Sequence, residues 1–219
     1  MLSLYAADLQ AGASQSFNAG SSELVLHVLA GRGTIVIGGR DFAVESGDGA
    51  HVRSGEALRL SAPEDAGLRV LMVVCPSAEL AVSNDGEEGS GNREFDHEYP
   101  RRVVSARRAR HEVTGDRNFQ VLLGPKTGSE AVTQFIGSIP RSRAPEHYHQ
   151  YEEVIGVLSG HGKIWFGEAS APVRPGSLIF LPREQPHCLE CTVAGGLELV
   201  GMFYPAGSPA VSYATGEAE

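Results

Sequence analysis

His147 and His149, the carboxylate Glu153 four residues on and, well downstream, His187 are the residues whose types and spacing could do chemistry. Side-chain direction alternates along an extended segment, so two histidines at i and i+2 point to one face. The even offset to Glu153 keeps it on that face if the chain stays extended. Three imidazoles and one carboxylate form a singly anionic, borderline-hard set suited to a divalent transition metal. Structural zinc sites are generally closed and often thiolate-rich, whereas this set predicts an open position for water or substrate. A divalent ion so held keeps a net charge of about +1 and attracts an anionic or enolisable oxygen ligand. Tyr151, Arg143, Gln134 and Lys163 are candidate catalytic or polar contacts. Tyr148 alternates away from the ligand face, and Trp165, Phe180 and Met202 read as pocket wall or core.

The elements that must position these residues read as short strands punctuated by turns, with 27 glycines and 12 prolines in 219 residues. Residues 22–38 read as strand, Gly31-x-Gly33 turn, strand, and residues 152–167 repeat that pattern around Gly160-x-Gly162. Val28 and Leu29 then align on Val157 and Leu158, and Gly47 on Gly176. A period of about 129 residues with matched hairpins is an internal duplication. The acidic, glycine-rich stretch 83–92 lies between the copies. We therefore expect a first unit over 1–82, a linker over 83–99 and a second unit over 100–219. The fold class is all-β, each unit an antiparallel barrel or jelly roll. Helix signals are weak throughout.

The two C-terminal strings resemble the two motifs of the cupin superfamily. The first is His147-Tyr-His149, three residues, Glu153, six residues, Gly160; the second is Gly176, five residues, Pro182, then His187. A proline just before His187 stands where the family usually places a glycine earlier in the turn. With the duplication, the resemblance implies a bicupin: two tandem cupin-type barrels (double-stranded β-helices), with one metal site in the second. It implies a metal-dependent enzyme acting on a small oxygenated metabolite, with non-haem dioxygenase chemistry first. Cupin isomerases, cyclases, lyases and aminohydrolases, and cupins that merely bind a ligand, are the alternatives. One divalent ion per chain is expected, Fe2+ or Mn2+ ahead of Zn2+, Ni2+, Co2+ or Cu2+.

The first copy lacks the ligands. Leu24 aligns with Glu153, Leu58 with His187, and no His-x-His precedes Leu24. His27 and His51 are isolated and read as surface or satisfied core histidines. A net charge of −9 argues against a nucleic-acid or anionic-membrane partner. The cluster Arg101, Arg102, Arg107, Arg108 and Arg110 reads as a solvated face. Cys75, Cys188 and Cys191 are too few for a disulfide framework and read as packing thiols. Without a signal-peptide pattern or a run of ~20 apolar residues, a cytoplasmic protein is expected. Its partners would be a small-molecule substrate and a second copy of itself, as a homodimer.

Overall fold

The computed structural model describes residues 1–83, 94–211 and 213–214. The described chain is built from antiparallel strands, with two single-turn 3-10 helices at Ala106–Arg108 and Pro125–Thr127. The expected all-β class holds. Most of the expected linker, residues 84–93, lies outside the described residues.

In the first unit the long strand Glu23–Ile37 runs through two sheet regions. Its beginning pairs with Asp48–Val52 and Leu68–Cys75, and its end with Arg40–Glu45 and Ala57–Ala62. Alternate residues Leu24, Leu26 and Val28 point inward, and beyond the bulge Ile35 and Ile37 do the same. They meet Val52, Leu58, Leu60, Val70, Met72 and Val74 in one apolar cluster. In the second unit a sheet runs in the order Glu112–Thr114, Arg117–Leu123, Thr133–Ile139, Leu197–Tyr204, Glu152–Ser159, Leu178–Leu181. A three-stranded sheet of Ala169–Val173, Gly162–Phe166 and Cys188–Cys191 completes it.

The duplication extends to register. Leu24 pairs with Val52 and Val74; about 129 residues on, Glu153 pairs with Leu181 and Phe203. A bulge falls between Val28 and Ala30 in one copy and between Val157 and Ser159 in the other. The glycines of the hairpins are sterically required. A Cβ on Gly33 would lie 2.1 Å from the carbonyl oxygen of Ser61, and one on Gly162 would lie 1.9 Å from that of Glu190.

Two expectations need correction here. The chain forms two compact units, Met1–Arg108 with Leu122–Val132, and Ala109–Val121 with Thr133–Glu219. Residues 94–108, which the sequence assigned to linker and second half, therefore lie in the first unit. The strand Val103–Ser105 pairs along Asp48–Val52, and Phe95 is buried in the first apolar cluster. Arg102 holds the segment in place and is no part of a solvated face. Fully buried, it donates Nη2 to Glu56 Oε1 at 2.7 Å and Nε to the Tyr99 carbonyl at 2.6 Å. The other four arginines of that cluster are exposed.

His27 and His51 also differ from expectation, since both are buried and incompletely bonded. His51 Nε2 meets Glu23 at 3.2 Å, but Nδ1 of each ring lacks a hydrogen-bond partner. Burial pushes His27 down to about 4. The three cysteines are buried and free, as expected of packing thiols.

Candidate metal centre

His147 and His187 face each other across a two-residue antiparallel bridge, with reciprocal backbone hydrogen bonds of 3.0 and 2.9 Å. Side chains directly opposite in such a pair share a face, and their ring centroids lie 4.6 Å apart. His149, two residues on, brings its ring within 5.0 Å of His147 and 5.6 Å of His187. Glu153 lies on the inward face of Glu152–Ser159 and projects its carboxylate to the same point. Its Oε2 is 3.7 Å from His149 Nε2 and 3.9 Å from His187 Nε2. The three histidines each offer a nitrogen, and those nitrogens lie within 4.8 Å of one another.

Each ring is held from behind by its Nδ1. His147 donates to the Pro145 carbonyl at 3.0 Å, His187 to that of Gln185 at 2.9 Å, and His149 to that of Val211 at 3.1 Å. A carbonyl only accepts, so Nδ1 carries the proton in all three rings, and each Nε2 keeps a free lone pair. This is the tautomer a metal ligand needs, fixed by outer partners.

Burial lowers all three imidazoles, His149 to about 3 and His187 to about 4, and neighbouring rings depress His149 further. Burial also raises Glu153 to about 8. Its Oε2 is buried and has no hydrogen-bond partner. An orphaned carboxylate oxygen beside neutral nitrogen donors is costly by itself, and a divalent cation among these four groups would satisfy it. The residues present fit the metal that their types imply.

The centre forms one wall of a cavity of about 350 Å3. Phe119, Phe135, Ile139, Ile155, Leu199 and Phe203 make it mainly apolar, while Arg117, Asn118 and Asp116 supply polar groups. Arg117 is half-buried, 3.8 Å from Asp116, and its charge depresses His147 and His187 further.

The other candidates fall elsewhere. Tyr151 lies in the apolar cluster, its hydroxyl bonded to the Ser208 and Val211 carbonyls at 2.8 and 3.1 Å. Gln134 is fully buried and alternates with the cavity-lining Phe135, so it faces away from the cavity. Arg143 and Lys163 are exposed and flank Trp165, at 4.0 and 5.3 Å from its ring centre. Trp165 donates to Glu190 at 2.8 Å, outside the cavity. Phe180 and Met202 both flank Val154, on the face opposite Glu153. None of these three is a cavity wall: Phe180 and Met202 pair with Val154, which alternates away from Glu153, and Trp165 lies in the separate three-stranded sheet. Arg117 and the aromatic walls were missed, since they lie on strands far from either histidine string and carry no spacing signal.

The cupin-domain family matches residues 7–74 and again 138–203, more than half of the chain. The chain belongs to the cupin family. Two matched copies make it a bicupin. Among the described residues, its only cluster of three or more potential metal-binding side chains is the histidine triad of the second copy. Oxalate decarboxylase of Bacillus subtilis, as a two-residue deletion mutant, superposes on the bicupin with a TM-score of 0.71 at 15% identity, covering 94% of this chain and 70% of its own. Another structure of that enzyme, described for its Mn(II) centres, gives 0.70 at 17% identity, with 96% and 71% covered. Salicylate 1,2-dioxygenase of Pseudoaminobacter salicylatoxidans, as a gentisate adduct, gives 0.73 at 10% identity, with 93% and 68% covered. Identities this low speak for the fold alone. No curated protein sequence matches the chain significantly. Among the described residues no helix is long and apolar enough to cross a membrane.

Proposed function

We propose that this bicupin is a mononuclear metal-dependent enzyme in which His147, His149, Glu153 and His187 hold one divalent ion, Fe2+ or Mn2+ ahead of the others. The observation that carries the reading is the buried, unpartnered Oε2 of Glu153, facing imidazoles whose Nδ1 positions are already bonded. When bound, the ion supplies Lewis acidity and, if it is iron, a place for O2 beside the substrate.

The chain's own residues bind and orient. Arg117 offers a charge-assisted contact, of about 1.5–3 kcal/mol, to an anionic oxygen of the substrate. Phe119, Phe135 and Phe203 exclude water and cover an apolar or planar body. One cation in a mainly apolar cavity suits a small oxygenated monoanion better than a compact dianion. The salicylate dioxygenase among the structural neighbours fits that description, so dioxygenase-type chemistry is the first reading. The reading retains the cytoplasmic homodimer expected from the sequence, which sedimentation and cell fractionation test.

The central experiment is anaerobic purification with elemental analysis, then O2 uptake with hydroxybenzoates, catechols and β-diketones. Near-stoichiometric metal and O2 consumption with an enolisable or aromatic monoanion are expected, both lost in His147→Ala. Turnover without O2 would move the reading to the cupin isomerases, cyclases, lyases or aminohydrolases. Failure to take up Fe2+ or Mn2+ would overturn it.

A further inference from the structure

The three histidine rings are not held alike. His147 and His187 donate Nδ1 to carbonyls two residues back, at Pro145 and Gln185, so each carries its own support. His149 has no such local partner. Its Nδ1 reaches 62 positions along the chain to the carbonyl of Val211.

Residues 208–211 form a closed turn, in which the Val211 N–H donates to the Ser208 carbonyl at 3.0 Å. The Tyr151 hydroxyl shares its one proton between those two carbonyls, 2.8 Å from Ser208 and 3.1 Å from Val211. The Tyr151 ring stacks on the His149 ring, 4.9 Å between centroids and 13° between planes, and packs on Phe203 at 4.3 Å. The chain enters the turn at Gly207, where a Cβ would lie 2.3 Å from the Tyr151 ring. Beyond it, Tyr213–Ala214 pairs with His147–Tyr148, and Tyr213 stacks on Tyr148 at 5.4 Å. Pro209 of the same turn lines the cavity.

We infer that Tyr151 and the turn at residues 208–211 form a strap that sets the tautomer and aim of His149, making Tyr151 a positioning residue of the metal centre. The inference rests on the proposed metal-binding role of His149. The stack fixes the ring's plane, the Val211 carbonyl fixes its rotation within that plane, and the Tyr151 hydroxyl fixes the carbonyl. His149 is therefore the one of the three whose ring support can be removed while the Nδ1 supports of the other two, at Pro145 and Gln185, stay in place.

The test uses the full chain and two substitutions that reach the strap from opposite sides. Tyr151→Phe removes the hydroxyl and keeps the stack; Gly207→Ala forces the turn off the ring. Mn2+ affinity is read from loss of the free aqueous Mn2+ EPR signal. In the metal-free protein, the His149 tautomer is read by 15N NMR and amide exchange is followed over Val211–Ala214. Each variant is expected to weaken Mn2+ binding about 10-fold, within the usual range for an outer partner of a ligand. Each should also mix the His149 tautomers and speed exchange at Val211 and Tyr213, leaving the His147 and His187 signals in place. Tyr148→Phe, which keeps the Tyr148–Tyr213 stack, should change none of these. Wild-type tautomer and exchange in both strap variants overturn the inference, whatever the metal result. A wild-type chain that takes up neither Mn2+ nor Fe2+ while both variants mix the tautomer overturns the metal reading and leaves the strap standing.

Discussion

The two barrels of this bicupin share hairpins, registers and bulge, yet differ in what occupies the positions of the candidate metal centre. Where the second half has His147 opposite His187, the first has Phe17 opposite Leu58. Two residues beyond Phe17, Ala19 stands for His149, and the shared strand register puts Leu24 where Glu153 is. All four apolar residues join the first unit's cluster. The segments beside the barrels differ as well. Val103–Ser105 extends the first unit's sheet along Asp48–Val52, whereas Glu112–Thr114 and Arg117–Leu123 add a hairpin to the second unit's sheet. That hairpin delivers Arg117, Asn118 and Phe119 to the cavity. In this chain, the residue types that could hold a metal stand where the first copy has apolar core residues.

The largest expected effect comes from making the second half resemble the first. Glu153→Leu should abolish metal binding, by more than about 100-fold in Mn2+ affinity. The metal-free chain should gain on the order of 1–3 kcal/mol, because an unpartnered buried carboxyl is gone. Elemental analysis and urea unfolding read both; retained metal would break the comparison. Next, Arg102→Met strands Glu56 in the first unit and should cost about 3–5 kcal/mol in a denaturant midpoint series. Binding of metal in the second half should persist wherever the variant is folded.

A third effect depends on pH. Folded His27 sits at about 4, below its ordinary 6.5, so between those values the unfolded chain binds a proton that the folded chain refuses. His27 therefore costs nothing above pH 6.5, and its destabilisation grows as pH falls to about 4, reaching on the order of 3 kcal/mol. His27→Leu should flatten that part of the stability–pH curve relative to wild type. The smallest expected effect is at the cavity. Arg117→Met should weaken binding of an aromatic or enolisable monoanion about 10-fold, with Mn2+ affinity within twofold of wild type. Calorimetric titration of metal and anion separately would show whether the added hairpin serves the ligand and the barrel serves the metal.

Much of this contrast was legible in the sequence. The His-x-His spacing, the distance to Glu153 and the Gly-x-Gly turns are local signals, and each follows from side-chain alternation or from the room left around a glycine Cα. Leu24 and Leu58 announced the missing ligands because the repeat carries its own internal reference. Gln134, Arg143 and Lys163 were drawn in by proximity or polarity, but alternation and distant partners assign them elsewhere. Tyr151 does belong to the site, as a support reached through a turn some 57 positions away.

The sequence by itself determined the strand class, the duplication and which half has the metal-binding residue types, because period and spacing encode which face a side chain takes. Only the tertiary structure decided that residues 94–108 complete the first unit, that Arg117 enters the cavity, and that His149 leans on the far end of the chain. These are contacts between segments remote in sequence, set by sheet pairing and burial, and no local pattern records them.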